Sequence, residues 1–258
     1  MLRFFRRKDK PTDDQGLLGY LFVPEAAEGV LRKASKGAVL KFRNELPSWV
    51  TIWREIKDVH IEKWPGVLWK VQALDEETAV VAEIGIRTQK IRILEKVPLS
   101  HLFGDYGEGV VKVVNAAFSL NPETVRKLSE NFTQAAESLY SKGWNIFENT
   151  FKDEPLYYGY DNTGAVMLRT EQGVSPIHHG FDIIYRSVFR RAEELTEGQA
   201  VGVNENLDPY LKEEWGRAAF ALMHAAMALA YQDKFTKEEI KVLSQAWEAT
   251  YGELPLTA

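Results

Sequence analysis

Three side chains close together in the sequence have the chemistry of a metal site or an acid–base site. His178 and His179 are followed by Asp182 at the start of a predicted helix. At helical spacing His178 and Asp182 lie one turn apart on one face, which suits a divalent metal ion or general-base catalysis. The same residues also suit a helix N-terminus, where the dipole stabilises an acidic side chain. Both interpretations are open from the sequence.

A further histidine, His224, lies within residues 218–230, an apolar stretch that predicts a buried helix. It could reach toward His178 or His179 across a helical bundle. A core histidine with one hydrogen bond is the more common case, and we favour that role. We therefore predict no cofactor.

Four tryptophans in the first part of the chain predict a binding surface. They are Trp49, Trp53, Trp64 and Trp69, with lysines between them. Aromatic rings interleaved with cations are typical of nucleic-acid platforms, and aromatic side chains also line the peptide grooves of SH3-like barrels. The acids Glu55, Asp58 and Glu62 interrupt the basic pattern and argue against phosphate contacts. Core packing is the competing role for most of these rings.

The first ten residues are strongly basic. They hold five cations against one acid, a local charge of +4 in a chain of net charge −5. The candidate contact residues are Arg3, Arg6, Arg7 and Lys8. With Phe4 and Phe5 they suit peripheral contact with an anionic membrane, although a solvated chain end is the favoured alternative. The acidic remainder of the chain argues against general nucleic-acid binding.

The composition excludes several classes of site. The chain has no cysteine, which rules out disulfides, thiolate zinc sites and cysteine nucleophiles and is consistent with a cytoplasmic location. No apolar run approaches the roughly 20 residues of a membrane helix. Hydrophobic residues make up 45% of the 258 residues, enough for a folded core.

The periodicity of the apolar residues changes along the chain and predicts an α+β fold. Alternation over residues 67–74, 79–86 and 90–94 predicts three antiparallel strands joined in a meander. With short strands at 17–23 and 38–42 they form a small sheet or an SH3-like barrel. Residues 49–56 have a spacing that suits one helical turn or an irregular segment better than a strand.

The second part of the chain is predicted to be mainly helical. Asn121 begins a helix that runs to about residue 149, and Thr236 with Glu239 forms a capping box before the last helix. Residues 156–169 predict a β-hairpin, and residues 198–208 a polar loop. Further helices are predicted over 181–195 and 209–232.

These elements divide the chain into three predicted units. Residues 1–16 form a basic tail, 17–104 a β-rich domain, and 105–258 a helical domain with the hairpin near 156–169. We predict a non-enzymatic interaction or assembly protein, in which the β domain recognises a partner and the helical domain packs or oligomerises. The partner is expected to be another protein or a second copy. The alternative is a metal-assisted hydrolase that uses His178, His179 and Asp182.

Overall fold

A computed structural model describes residues 17–61, 63–75, 79–81, 85–150, 157–160, 166–170, 173–174 and 176–256. For residues 79–81, 150, 157–160, 166–170, 173–174 and 176–179 it describes the backbone alone. A sheet built by the first hundred residues is followed by a mainly helical part, so the predicted α+β class is confirmed.

Seven antiparallel strands form the first sheet, in the order β2-β7-β4-β1-β3-β6-β5. They are β1 (Leu18–Pro24), β2 (Val39–Lys41), β3 (Val50–Trp53), β4 (Gly66–Ala73), β5 (Ala79–Val81), β6 (Gly85–Thr88) and β7 (Lys90–Val97). Short 3₁₀ turns lie at Gly29–Lys33, Ile56–Asp58 and Leu99–Phe103. The predicted strands near 17–23 and 38–42 are thus confirmed as β1 and β2.

The sheet is strongly rolled. Strands β6 and β7 lie four positions apart in the strand order, yet only Gln89 separates them in the chain. In a flat sheet four steps of ~4.8 Å cover ~19 Å, whereas two Cα–Cα steps reach at most ~7.6 Å. The sheet must therefore curl until the ends of β6 and β7 meet. The SH3-like barrel stays a prediction.

The concave side of the roll holds its own apolar core. It is formed by Leu21, Val23, Leu40, Phe42, Ile52, Val71, Ala73, Ile86, Ile91 and Ile93. On β4, Val71 and Ala73 are buried, whereas Lys70 and Gln72, which alternate with them, are partly exposed. The alternation predicted for this strand is confirmed, because successive side chains of a strand point to opposite faces.

The predicted meander is wrong in its middle strand. Strand β4 pairs directly with β7, and the intervening chain leaves to form β5 and β6 beside β3. Asp75 links the start of this segment to its end, because its Oδ2 accepts from the Gln89 amide at 2.5 Å and from the Thr88 hydroxyl at 3.1 Å. Pairing between strands distant in sequence therefore overrides the pairing of neighbours.

A helical turn or an irregular segment, rather than a strand, is predicted for residues 49–56, and this prediction is also wrong for the first half of the range. Residues Val50–Trp53 form β3, which pairs with both β1 and β6. Of the four residues only Ile52 is fully buried, so the strand carries little alternation for a sequence pattern to show. Tertiary pairing decides its conformation.

Six α-helices occupy the described part of the chain that follows the sheet. They are α1 (Gly107–Phe118), α2 (Pro122–Glu130), α3 (Gln134–Thr150), α4 (Pro176–Thr196), α5 (Glu213–Ala230) and α6 (Lys237–Tyr251). The predicted caps at Asn121 and Thr236 are confirmed, each within a capping box. The single helix predicted from Asn121 to about residue 149 is in fact two helices. The chain breaks after Glu130, and the Thr133 hydroxyl accepts from the Ala136 amide at 3.2 Å, which starts α3 anew.

Helix α5 lies inside the helical part, against α4, α6, α1, α2 and α3. Its alanines permit close helix approach, and Gly143 of α3 and Gly109 of α1 face Met227 and Leu229 of α5 with no room for a Cβ. The same apolar core continues into the sheet through Phe22, Trp64 and Leu68. The domain boundary near residue 104 stays a prediction.

Two hairpins interrupt the helices. The first pairs β8 (Tyr157–Tyr160) with β9 (Val166–Thr170), as predicted for residues 156–169, and β9 also pairs with β10 (Gly173–Val174). The second pairs β11 (Val201–Val203) with β12 (Pro209–Leu211). The prediction of a polar loop over 198–208 is therefore wrong, and α5 starts at Glu213 rather than near Pro209. Strands this short give too weak an alternation to be separated from a loop.

None of the helices in the described residues is both long and apolar enough to cross a membrane.

Candidate functional site

The predicted histidine site lies at the start of α4. His178 and His179 lie in its first turn, where only the backbone is described. Asp182 follows one turn later, is buried, and forms an ion pair with Arg186, itself buried. The carboxylate of Asp182 thus already faces a cation of its own helix. Within the described residues no group of three histidine, aspartate or glutamate side chains is placed to hold a metal ion.

His224 belongs to a buried aromatic cluster. Its Nε2 lies 3.1 Å from Glu137 Oε2 of α3, and its ring packs against Phe132, Tyr140 and Phe220 at centroid distances of 5.4, 5.2 and 6.5 Å. The imidazole is almost fully buried, whereas the Glu137 side chain is about one-third exposed. A histidine enclosed in this way anchors α5 to α3 and offers no surface to a substrate. Its observed contacts fit the core role favoured from the sequence.

Burial strongly raises the pKa of the Tyr140 hydroxyl in the same cluster, and the nearby Glu137 carboxylate adds to the effect. The neutral phenol is therefore favoured in the folded state. Above the normal tyrosine pKa of about 10 the unfolded chain ionises first, so the free energy of unfolding falls as pH rises.

We expect Tyr140→Phe to reduce this loss of stability at alkaline pH. Between pH 8 and pH 11 the wild type should lose about 1.4 kcal/mol more of its free energy of unfolding than the variant, because one group one unit above its unfolded pKa contributes about that much. Urea denaturation at both pH values measures the difference. Equal losses in the two proteins would contradict it.

The four tryptophans do not share one surface. Trp64 is 6% exposed and lies in the core, where it stacks on Phe22 at 5.9 Å and donates from Nε1 to Asn115 Oδ1 at 2.9 Å. Trp53 and Trp69 are partly buried, the former against the core shared with the helices and the latter against the core of the roll. Trp64 thus takes the packing role.

Trp49 is the exposed member of the set. It is 41% exposed, and the Arg87 guanidinium lies 5.3 Å from its ring centroid. Leu46, three residues earlier, is fully exposed. Of the three lysines close to the tryptophans, Lys57 pairs with Glu55 at 3.0 Å and Lys70 with Glu95 at 3.5 Å, while Lys63 is exposed. The cation that lies over the exposed Trp49 ring is Arg87.

The tail residues Arg3, Arg6, Arg7 and Lys8 lie outside the described residues.

The second hairpin, β11–β12, holds a group of exposed apolar side chains that the sequence did not reveal. Leu207 is 83% exposed, Val203 60% and Tyr210 43%. Val203 lies on the opposite face from Tyr210, because Gly202 pairs with Tyr210 and Val203 with Pro209. We refer to Leu207 and Tyr210 as the hairpin surface. At the other end of the hairpin Leu211 is buried in the core and Val201 packs against it, so the base is fixed while the tip projects.

The turn at the tip of the hairpin is held by a set of hydrogen bonds. Asn204 Oδ1 accepts from the amides of Asn206 and Asp208, both at 2.9 Å. The Asn204 carbonyl accepts from the Leu207 amide at 3.0 Å. Leu207 has a φ of 66°, a left-handed conformation that costs a non-glycine residue roughly 1–2 kcal/mol. The turn therefore imposes an unfavourable conformation on the residue that it exposes most.

Tyr210 is positioned by the glycine opposite it. Gly202 pairs with Tyr210 across the two strands, and a Cβ at residue 202 would lie 2.5 Å from the tyrosine Cζ. The ring thus lies directly over the glycine backbone, a space that any other residue would fill. The glycine thus leaves room for the tyrosine ring.

A signal for this hairpin is present in the sequence. Val201 and Val203 flank Gly202, and Tyr210 and Leu211 follow a turn that is rich in Asn, Asp and Pro. Apolar residues on both sides of such a turn are typical of a short hairpin. Because the turn between them is polar, the segment is predicted to be a loop.

Comparison with known proteins gives no relative for the chain: no family model, curated protein or solved structure matches it significantly.

Proposed function

We propose that the protein is a non-enzymatic interaction protein that binds another protein chain through the hairpin surface. The observation that carries the proposal is Leu207, which is 83% exposed and held in a left-handed conformation by its turn. Unfavourable backbone conformations persist where the surrounding structure enforces them, and they concentrate at functional positions.

The hairpin surface has the properties of a pre-organised contact. The Asn204 side chain fixes the turn, and Gly202 leaves the space that the ring of Tyr210 occupies. Ordering of flexible side chains is a main cost of association, so a contact that is already ordered binds more tightly for the same buried area. Tyrosine is also among the residues enriched at interaction hot spots.

The rolled sheet offers a second, smaller surface in support of the predicted recognition role. Trp49 is exposed beside the Arg87 guanidinium, and Leu46, three residues earlier in the chain, is exposed as well. Aromatic and arginine side chains are enriched in protein interfaces. We propose this surface as an accessory contact.

A selection from a random peptide library tests the binding function. The immobilised full-length chain should enrich peptides that bind it saturably. Leu207→Asn should lower the affinity for these peptides by roughly tenfold or more, because burying a leucine side chain contributes about 1.5–3 kcal/mol. Asparagine tolerates the left-handed conformation, so the variant should keep the wild-type melting temperature.

Phe118→Ser is the matched control. Phe118 lies at the end of α1 and is 43% exposed, as Tyr210 is. Its replacement should leave peptide affinity unchanged. A library that yields no saturable binder, or binders equally tight to wild type and Leu207→Asn, would refute the proposal.

A further inference from the structure

The chain around the hairpin surface is strongly acidic. Residues 193–214 contain seven acids and one lysine, a local charge of −6, whereas the whole chain carries −5. The seven acids are Glu193, Glu194, Glu197, Glu205, Asp208, Glu213 and Glu214, all of them exposed. Two of them, Glu205 and Asp208, lie in the turn of the hairpin itself, beside Leu207.

Most of this negative charge is not locally neutralised. Glu194 pairs with Arg191 and Glu213 with Arg217, while the other five acids form no ion pair in the part of the chain that the structure describes. The single lysine of the segment, Lys212, donates to the carbonyl of Gln199 at 2.5 Å.

The exposed acids of α2 behave differently. Glu123 pairs with Lys127 at 2.9 Å and Glu130 with Arg126 at 2.7 Å, so each has a cation one turn away. The acids around the hairpin thus differ from those of α2, which are neutralised on their own helix.

A partner for this surface must combine apolar side chains with positive charge. Apolar groups are needed to cover Leu207 and Tyr210, and cations to complement the unpaired acids around them. A neutral apolar partner would leave these carboxylates beside a dry contact without compensation, which is costly.

One segment of this chain has that chemistry. Residues 1–10 carry a charge of +4 and include Leu2, Phe4 and Phe5. We infer that the hairpin surface binds the basic N-terminal segment, residues 1–10, an inference that rests on the proposed function of the hairpin. The aromatic rings cover the exposed apolar side chains, and the arginines and lysines face the acids.

A fluorescein-labelled peptide with the sequence of residues 1–10 tests the inference. It is titrated into the full chain carrying Arg3→Gln, Arg6→Gln, Arg7→Gln and Lys8→Gln, so that the chain's own segment does not compete. Fluorescence anisotropy should show saturable binding at about 0.05 M salt. Affinity should fall by roughly tenfold or more at about 0.5 M salt, because the Debye length shortens several-fold.

Substitutions in the hairpin should lower the affinity of the chain for the peptide. Leu207→Asn should weaken this affinity by roughly tenfold. Glu205→Lys should weaken it by roughly threefold or more, and a peptide carrying Arg6→Glu and Arg7→Glu should bind the Glu205→Lys chain better than it binds the parent chain. Phe118→Ser should change nothing.

Three results would overturn the inference: no saturable binding of the peptide, binding that ignores the hairpin substitutions, or measurable binding only to phosphatidylserine vesicles. If library-selected peptides still depend on Leu207 in these cases, the proposed function stands and the N-terminal segment is not the occupant. If neither kind of peptide depends on Leu207, both proposals fail.

Discussion

Asp182→Asn is expected to lower the free energy of unfolding by about 3–5 kcal/mol. Asp182 and Arg186 form an ion pair on one face of α4, and both are buried among the packed helices. The substitution removes the carboxylate charge that faces the buried guanidinium of Arg186. A domain is typically stable by about 5–15 kcal/mol, so the loss is a large part of the total. Urea denaturation of wild type and variant at neutral pH measures it.

The double variant Asp182→Leu/Arg186→Met is the control for this explanation. It removes both charges and leaves apolar side chains of similar length, an exchange that is often neutral or even stabilising for a buried pair. We expect it to be more stable than Asp182→Asn alone. A double variant that is as unstable as the single one would show that the charge of Arg186 is not the cause.

Trp64→Ala is expected to cost about 3–5 kcal/mol, the usual range for deleting a large buried aromatic ring. Trp64 contacts three elements at once: it stacks on Phe22 of β1 at 5.9 Å, meets Phe103 at 6.2 Å, and donates to Asn115 of α1 at 2.9 Å. Alanine would leave a cavity between the sheet and the first helix and would deprive Asn115 of its donor. Thermal and urea denaturation both report the loss.

Trp64→Phe separates packing from hydrogen bonding. Phenylalanine keeps most of the ring contacts with Phe22 and Phe103 but cannot donate to Asn115, so a loss of about 1–2 kcal/mol is expected. If Trp64→Phe were as destabilising as Trp64→Ala, the hydrogen bond rather than the filled volume would dominate at this position.

Local signals in the sequence correctly predicted those parts of the fold that local forces determine. The caps at Asn121 and Thr236 satisfy helix amides with side chains three residues away, so their patterns can be read directly. The alternation along β4 shows which residues are buried, because the strand lies between a core and a partly solvated face. The hairpin near 156–169 likewise has its turn residues between two apolar runs.

The errors arise where distant pairing or a short element decides the structure. Strand β6 pairs with β3 and β5 rather than with β7, the next strand in the chain, and its connection to β7 across Gln89 requires the sheet to roll. The strands around Gly202 and Tyr210 are three residues long, too short for periodicity to distinguish them from a loop. The most exposed apolar residue of the proposed site, Leu207, sits in a turn that reads as polar.

The position of β1 in the sheet has a consequence for folding during synthesis. This strand is the middle one of seven, and it is the first to leave the ribosome. Its partner β4 follows 42 to 54 residues later along the chain, as the pairs Pro24–Gly66 and Leu18–Gln72 show. At about 5–20 residues per second the apolar side chains of β1 wait roughly 2–10 s for that partner. During this interval Leu21, Phe22 and Val23, which are buried in the folded protein, lack the strand that covers them along most of β1.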